Sequence, residues 1–410
     1  MDIYGKAAVF FFLLIVCANI AVAQQYYTIT GIVTDDKDAP IPGATVFIGD
    51  SKKATATDVE GRFVLGKLSR GKYNLVVKMI GYVVTTHDFI LQNKDLKFRI
   101  KLPEDNHLLN TVNISALSRS EREDYLGMFT RCFFGTSNAA RDCRILNPDI
   151  IKYSYNRDKN ILTAATDDFL IIENKALGYK MKYLLTNFTY DIGSVGGLIA
   201  FAGKLFYEDL PGDSAKMQKW EEARAAVYLG SITHFFRSLF NDKLNDNSFV
   251  VYRVPNPPLL SAYEKKHKGI PQRYYKPVKS LNEFITGVDD NFKAFKLKPL
   301  ISDSTELYVL YTPNREPKDF TGHGVQIGRG FKMPLGQLSF LRPVGDSVLI
   351  NMNGDVSPAV NLIKGGFWTW GQMAAFIPAD YVIPPELENA KLKRLRRRDE
   401  ATLNKQADQY

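Results

Sequence analysis

The sequence predicts a mainly β protein: an N-terminal seven-stranded antiparallel β-sandwich, then a larger β-rich α+β region with one long helix. Three observations carry this. Short runs between Thr30 and Leu102 alternate apolar and polar residues, the period of strands with one buried face. Gly, Pro, Asn and Asp recur between those runs, where the chain must turn. Only the stretch from Ser214 to about Asn241 switches to a helical apolar period.

At 410 residues the chain has room for two or three domains, and 45% hydrophobic with 24% charged residues is the composition of an ordinary folded protein. Residues 1–23 read as a signal peptide. Lys6 lies near the amino terminus, Ala7 to Val16 form an unbroken apolar core, and Ala21-Val22-Ala23 supplies the small-x-small pattern of a cleavage site before Gln24. An uncleaved anchor is the competing reading, but the apolar run is short for a span and Asn19 interrupts it. Cys17 is preceded by Val16, where a lipoprotein signal needs a small residue. The expectation is therefore an exported protein, periplasmic or associated with the outer membrane.

In the sandwich, assigned to residues 24–103, Gly31–Val33, Ala44–Ile48, Arg62–Leu65 and Tyr73–Val77 are strand runs. Pro40, Pro42, Gly43, Asp58, Gly61, Arg70 and Gly71 are turn chemistry between them. Leu96 to Leu102 alternates strictly. The spacings G-x-V-x-D, P-x-x-G-A-x-V, T-D-x-x-G-x-F, L-x-x-G-x-Y-x-L and G-Y place Gly31, Val33 and Asp35; Pro40, Gly43, Ala44 and Val46; Thr57, Asp58, Gly61 and Phe63; Leu68, Gly71, Tyr73 and Leu75; and Gly81 with Tyr82. This pattern resembles the carboxypeptidase regulatory-like domain of Bacteroidota envelope proteins. The resemblance implies a transthyretin-like seven-stranded sandwich and no catalytic role for these residues, which read as turns and core.

Residues 104–123 read as a polar linker, and 124–384 as the β-rich α+β region, divisible near 255–275. Ile150–Tyr155 and Ile161–Ala165 form a hairpin signal across a polar turn, followed by strand candidates Phe169–Ile172, Tyr179–Tyr190 and Gly197–Tyr207. A helix over 214–241 follows Leu210-Pro211-Gly212, with Tyr228, Ile232, Phe235 and Leu239 drawing one apolar stripe. His234 and Arg237 lie beside that stripe as candidate polar anchors for its packing. Leu170–Tyr190 and Tyr228–Leu239 also resemble an uncharacterised module that accompanies the regulatory-like domain in exported Bacteroidota proteins. Phe249–Val254, Leu307–Tyr311, Gly324–Phe331, Gln337–Leu341, Ser347–Met352 and Phe367–Phe376 are the later strand candidates.

Two further features bear on partners. Phe367, Trp368 and Trp370 form the densest aromatic cluster and a candidate interaction surface, with sheet packing as the bland reading. Lysine and arginine number 53 against 44 acidic residues, and part of the excess lies in the charged tail 385–410. There Lys391, Lys393, Arg394, Arg396, Arg397 and Arg398 suit contact with an anionic surface, or a solvated helix end. Export and the absence of interleaved aromatics argue against nucleic acid. Once a signal peptide is removed, Cys132 and Cys143 remain, and an oxidising compartment makes them a candidate disulfide.

The chemistry search yields no motif. His87, His107, His234, His267 and His323 open no H-x-x-E or H-E-x-x-H pair, so no zinc-carboxypeptidase ligand set is visible. Gly212-Asp213-Ser214 and Gly345-Asp346-Ser347 read as cap and turn, and no G-x-S-x-G elbow occurs. Gly322 to Gly330 is glycine-rich, yet Ile327 stands where a dinucleotide fingerprint needs its third glycine. The expectation is a non-catalytic envelope protein, a binding or structural module for a protein or polysaccharide partner, without metal or cofactor. The alternative is an envelope hydrolase of glycan or peptide whose carboxylates converge only in the fold.

Overall fold

A computed structural model describes residues 26–105, 117–193, 197–255, 277–278, 284–288, 292–296, 305–318, 320, 335–344, 347–357 and 361–389. The signal segment 1–23, the glycine-rich stretch 322–330 and the basic residues from Lys391 to Arg398 lie outside them. The described residues are mainly β, and the seven strands of the N-terminal sandwich are present.

β1 (Tyr27–Thr34), β4 (Arg62–Leu68) and β7 (Leu96–Lys101) form one sheet in the order β4-β1-β7. β2 (Thr45–Ile48), β3 (Ala54–Ala56), β5 (Gly71–Lys78) and β6 (Thr85–Leu91) form the other, in the order β3-β2-β5-β6. One pair corrects the fully antiparallel expectation: β7 runs parallel to β1, because the chain crosses between the sheets after β6 instead of returning by a hairpin. Ile29, Val33, Val46, Phe63, Leu75 and Leu91 fill the space between the sheets. The motif residues are turn hardware. Thr57 donates to the Ile41 carbonyl at 2.7 Å and accepts from Ala44 N–H at 2.8 Å, while Asp58 accepts from the amides of Glu60 and Arg62. Gly61 sits at φ +72°, and a Cβ there would meet the Val33 carbonyl at 2.5 Å.

The central sheet is built on β12 (Tyr179–Asp191), a 13-residue strand. β11 (Leu170–Asn174) and β10 (Ile161–Ala165) share one edge of it, and β13 (Leu198–Asp209) pairs along the other. β8 (Cys143–Ile145) and β9 (Lys152–Asn156) complete the sheet. One face is covered by α1 (Arg119–Phe134), whose Phe129 and Phe133 pack on Phe188 and Phe201 at ring separations of 4.8 and 5.1 Å. This helix corrects the linker boundary at 123. Ser118 and Glu121 form a reciprocal capping box, so helix begins inside the segment read as linker. A single helical turn, α2 (Asn138–Arg141), follows.

The expected helix over 214–241 is two helices, α3 (Ser214–Tyr228) and α4 (Ile232–Phe240). Gly230 between them has φ +88°, and Ser231 caps α4 by accepting from His234 N–H. Phe235 and Leu239 pack against the following region rather than the central sheet. That region holds two four-stranded sheets. β14 (Phe249–Pro255), β17 (Thr305–Tyr311), β18 (Gln337–Pro343) and β21 (Leu362–Gly366) make one. β15 (Ile285–Gly287), β16 (Phe292–Phe295), β19 (Val348–Asn351) and β20 (Val356–Ser357) make the other. The expected strand over 367–376 is instead two 3₁₀ turns, Phe367–Thr369 and Gln372–Ala375, because Gly366 at φ +71° ends the strand. This segment returns to the central core, where Met373 and Ala374 are fully buried and Asn174 Nδ2 donates to the Ala374 carbonyl.

The sandwich lies on the free face of the central sheet. Phe47 and Val76, on the outer side of β2 and β5, are fully buried against Phe206 and Phe169, with Phe47 4.7 Å from Phe206 between ring centres.

Candidate binding cleft

Where the sandwich, β13 and the β19–β20 hairpin meet, they enclose a cleft of about 510 Å³, within the range of small-molecule sites. Three local structures hold its walls. The first is the turn after β2. Asp50 there adopts φ +58°, its N–H donates to the Leu205 carbonyl at 2.7 Å, and its own carbonyl accepts from Ala379 N–H at 2.6 Å. Tyr207 N–H donates to the Ser51 carbonyl, so the turn adds a short parallel bridge to the edge of β13. Lys52 pairs with Asp209, which also accepts from the buried Arg224 guanidinium at 2.9 Å.

The second wall is the turn Asn351-Met352-Asn353-Gly354-Asp355. Asn351 Oδ1 accepts from the amides of Asn353 and Asp355, and its Nδ2 donates to Asp355 Oδ2 at 3.0 Å. Gly354 is required at φ +80°, since a Cβ would stand 2.7 Å from the Thr233 carbonyl. The third wall is the start of β5. Lys72 Nζ donates to Ser357 Oγ at 3.2 Å and lies 3.6 Å from Asp88, tying the sandwich to the hairpin.

The charges facing the cleft are of both signs. Asp50 and Asp355 line the cleft and are solvent-exposed as residues, while their carboxyl groups are crowded by surrounding protein. Burial, then the Asp355 charge, pushes the Asp50 carboxyl up to about 6 against the pull of Lys204. Asp355 is also raised, chiefly by burial, although its bond from Asn351 and the charges of Arg237 and Lys72 oppose this. Lys364 is exposed as a residue, although the protein crowding its head group lowers its ammonium, which lies 5.7 Å from the Phe376 ring. Among the described residues, the side chains of Asp50, Lys204 and Lys364 form no ion pair or hydrogen bond.

The residues singled out in the sequence stand elsewhere. Arg237 is directly behind the second wall: it donates to the carbonyls of Asn353, Tyr381 and Ala379 at 2.9, 2.8 and 2.6 Å. It thereby fixes both the Asn353 turn and the segment that holds Asp50. His234 is 3% exposed, accepts from Gly230 N–H at 3.1 Å and packs between Tyr228 and Phe249. Trp368 is half-buried on Phe235, and its Nε1 donates to the Gly230 carbonyl at 2.7 Å. Phe367 and Trp370 gather with Phe320 at 5.4 to 5.9 Å, all half-buried. The three aromatics therefore divide between the core and a second cluster and do not form one open strip.

The Cys132–Cys143 bridge is absent, which corrects that expectation. Both thiols are free: Cys132 packs on the central core and Cys143 Sγ donates to the Ala139 carbonyl at 3.3 Å. Burial pushes the Cys143 thiol up to about 12 and raises that of Cys132, which keeps both as thiols. The described residues contain no cluster of three or more His, Cys, Asp or Glu placed to hold a metal ion. No described helix is long and apolar enough to cross a membrane.

A small all-β module with an internal seven-strand core is the class that the N-terminal fold defines. Residues 29–114 match the family described as the CarboxypepD_reg-like domain. No curated protein matches the chain. Among solved structures, similarity is found to a cohesin–X-dockerin complex from Acetivibrio cellulolyticus, at 22% identity over 27% of this chain and 76% of that one, TM-score 0.19. A 3-chlorocatechol 1,2-dioxygenase from Rhodococcus opacus is similar at 10% identity over 21% of this chain and 62% of that one, TM-score 0.18. The minor pilin GBS52 of Streptococcus agalactiae is similar at 14% identity over 23% of this chain and 49% of that one, TM-score 0.18. This chain thus spans less than two thirds of the dioxygenase and about half of the pilin.

Proposed function

We propose that the protein is an exported component of a bacterial envelope, periplasmic or on the outer membrane, that binds a peptide or saccharide group in the cleft without chemically transforming it. The supporting observation is the cleft itself. Three segments far apart in the chain converge on it, and among the described residues the side chains of Asp50, Lys204 and Lys364 on its lining form no ion pair or hydrogen bond. A ligand of complementary charge would find these groups free to pair with it. The test is calorimetric titration of the purified chain with envelope peptides and oligosaccharides. Saturable binding that Asp355→Asn weakens, with the ligand recovered intact, supports the reading, and binding unaffected by cleft substitutions refutes it.

One observation favours a second reading, an envelope hydrolase of glycan or peptide: Asp50 and Asp355 are two carboxylates with raised proton affinity in one cleft. An acid and a base in such a pair would transfer protons to and from a scissile bond. Mass spectrometry after incubation separates the two readings. Cleavage products that disappear in Asp50→Asn identify the hydrolase.

A further inference from the structure

Among the described residues, β13 is paired along its whole length on one side only, to β12. On its other side the turn after β2 takes up the C-terminal half. Asp50 N–H donates to the Leu205 carbonyl at 2.7 Å, and Tyr207 N–H donates to the Ser51 carbonyl at 3.0 Å. Leu205 and Tyr207 therefore direct main-chain groups away from β12, and the strand period of two makes Ile199, Phe201 and Gly203 do the same. The Ala202 carbonyl faces the opposite way and accepts from Thr186 Oγ1 on β12 at 3.0 Å. Among the described residues nothing bonds to the outward N–H and C=O groups of Ile199, Phe201 and Gly203.

Edge strands are ordinarily kept from pairing by charge, brevity or cover. Other edges of this molecule are protected in these ways: β7 carries Lys97, Arg99 and Lys101, and β3 and β8 are three residues long. The free stretch of β13, Leu198–Lys204, has no proline and no charge before Lys204. On its outer face Ala200 and Ala202 are small and exposed, and Leu198 is 65% exposed. On its other face Phe201 and Phe376 are half-buried, 6.1 Å apart between ring centres. An added strand would meet no charged or bulky barrier until Lys204, which belongs to the lining of the cleft.

We propose that the free edge of β13 takes up an extended peptide of a partner protein as an added strand, with one end of the peptide at the cleft; this rests on reading the cleft as a binding site. A row of alternating donors and acceptors at strand spacing is matched by another extended main chain and not by a sugar ring. Leu198–Lys204 spans about 20 Å, room for a segment of about six residues. The peptide extends the sheet in line with the Asp50–Ser51 turn, which already pairs with the same edge. Its alternate side chains lie beside Ala200 and Ala202 on one face and Phe201 on the other, which favours β-branched and aromatic residues. A second copy of β13 would leave the cleft empty, whereas a peptide end reaching Lys204 stands at its mouth.

The experiment combines residue-resolved amide hydrogen exchange and calorimetry on the purified chain. In the free protein the amides of Ile199, Phe201 and Gly203 should exchange about tenfold or more faster than those of Ala200 and Ala202, which face β12. The probe is a pool of N-acetylated, C-amidated heptapeptides in which valine or tyrosine alternates with threonine or serine. The same pool N-methylated at every residue, and maltohexaose, are the comparisons. The heptapeptides should bind and slow the three outward amides, and N-methylation should weaken binding about tenfold or more. Ala200→Lys combined with Ala202→Lys, at two exposed positions, should weaken the pool similarly and leave the thermal midpoint unchanged. Peptide binding that Asp355→Asn weakens but the lysine pair does not, or maltohexaose binding in place of peptide, overturns the added strand and leaves the cleft a binding site. Protection of the three amides that grows with protein concentration in the absence of peptide assigns the edge to a second copy and also overturns the proposal. Failure of every probe to bind overturns both.

Discussion

The two sheets of the N-terminal sandwich share one core but differ on their outer faces. In β4 and β7 the outward residues are exposed: Val64 is 61% exposed, and Lys97, Arg99 and Lys101 alternate with the apolar residues of β7. In β2 and β5 three successive apolar residues, Val46-Phe47-Ile48 and Leu75-Val76-Val77, are all buried. Alternation marks a sheet with one face in water, whereas an unbroken apolar run marks a strand covered on both sides. The difference explains the docking: one sheet is finished by solvent, the other by the aromatic face of the central sheet. The same docking brings the Asp50 turn onto β13 and so creates the cleft.

The comparison breaks most decisively at Phe47. Its ring is fully buried against Phe169 and Phe206, so Phe47→Ala should cost about 3–5 kcal/mol through lost contacts and the cavity left behind. Val64→Thr, on the solvent-facing sheet, should stay within about 0.5 kcal/mol. Urea unfolding of the two variants measures both values. Equal effects would mean that the β2–β5 face is not held against the central sheet.

A smaller effect should appear on the opposite wall. Arg237→Met retains the side-chain stem but leaves the carbonyls of Asn353, Ala379 and Tyr381 without their donor. A loss of about 2–3 kcal/mol is expected for so many acceptors stripped together. Because Ala379 also donates to Asp50, the variant should weaken the docking of the sandwich, seen as faster proteolysis between the sandwich and α1. A variant as stable as the parent would place no weight on these three bonds.

Gly230→Ala should cost about 2 kcal/mol, since it places a Cβ at φ +88° and 2.5 Å from the Tyr311 ring. Its thermal midpoint is the measurement, and an unchanged value would contradict the break between α3 and α4.

The sandwich was legible because its turns need particular residues at fixed offsets, as Thr57, Asp58 and Gly61 show. The break between α3 and α4 was signalled by Gly230-Ser231, but the apolar stripe continues across it and outweighs one glycine in a periodicity reading. The start of α1 carried an explicit S-x-x-E signature at Ser118 and Glu121, hidden by the polar stretch before it. The cleft was not legible. Asp50, Lys204, Asp355 and Lys364 come from three regions, and each alone reads as a surface charge; only their meeting in space makes a site. The runs at Phe47 and Val76 did signal that something covers the sandwich, without saying what.

The finest test sets one carboxylate from each side of the comparison against the other. On the solvent-facing side, Asp38 lies 2.8 Å from Lys101, and that bond and charge hold its carboxyl below the usual range. A depressed acid contributes stability above its unfolded pKa and loses it as the pH falls, so Asp38→Asn should be at a disadvantage that fades on acidification. Asp50 has the opposite sign. Its folded value is raised from 3.8 to about 6, so the folded state binds the proton more tightly than the unfolded chain does. Its contribution to stability is then fully present below about pH 4 and is lost as the pH rises through 6. Asp50→Asn removes the charge and should be more stable than the parent at pH 7.5, with the gain vanishing near pH 4. Cavity water screens the group, so the gain is about 1 kcal/mol rather than the full value of the shift. Asp355 shifts in the same direction but is present in both proteins and cancels to first order. Urea midpoints at pH 4, 6 and 7.5 decide the matter. A gain that is constant with pH, or that grows on acidification, would show that Asp50 does not sit in the field of Asp355 within an enclosed cleft.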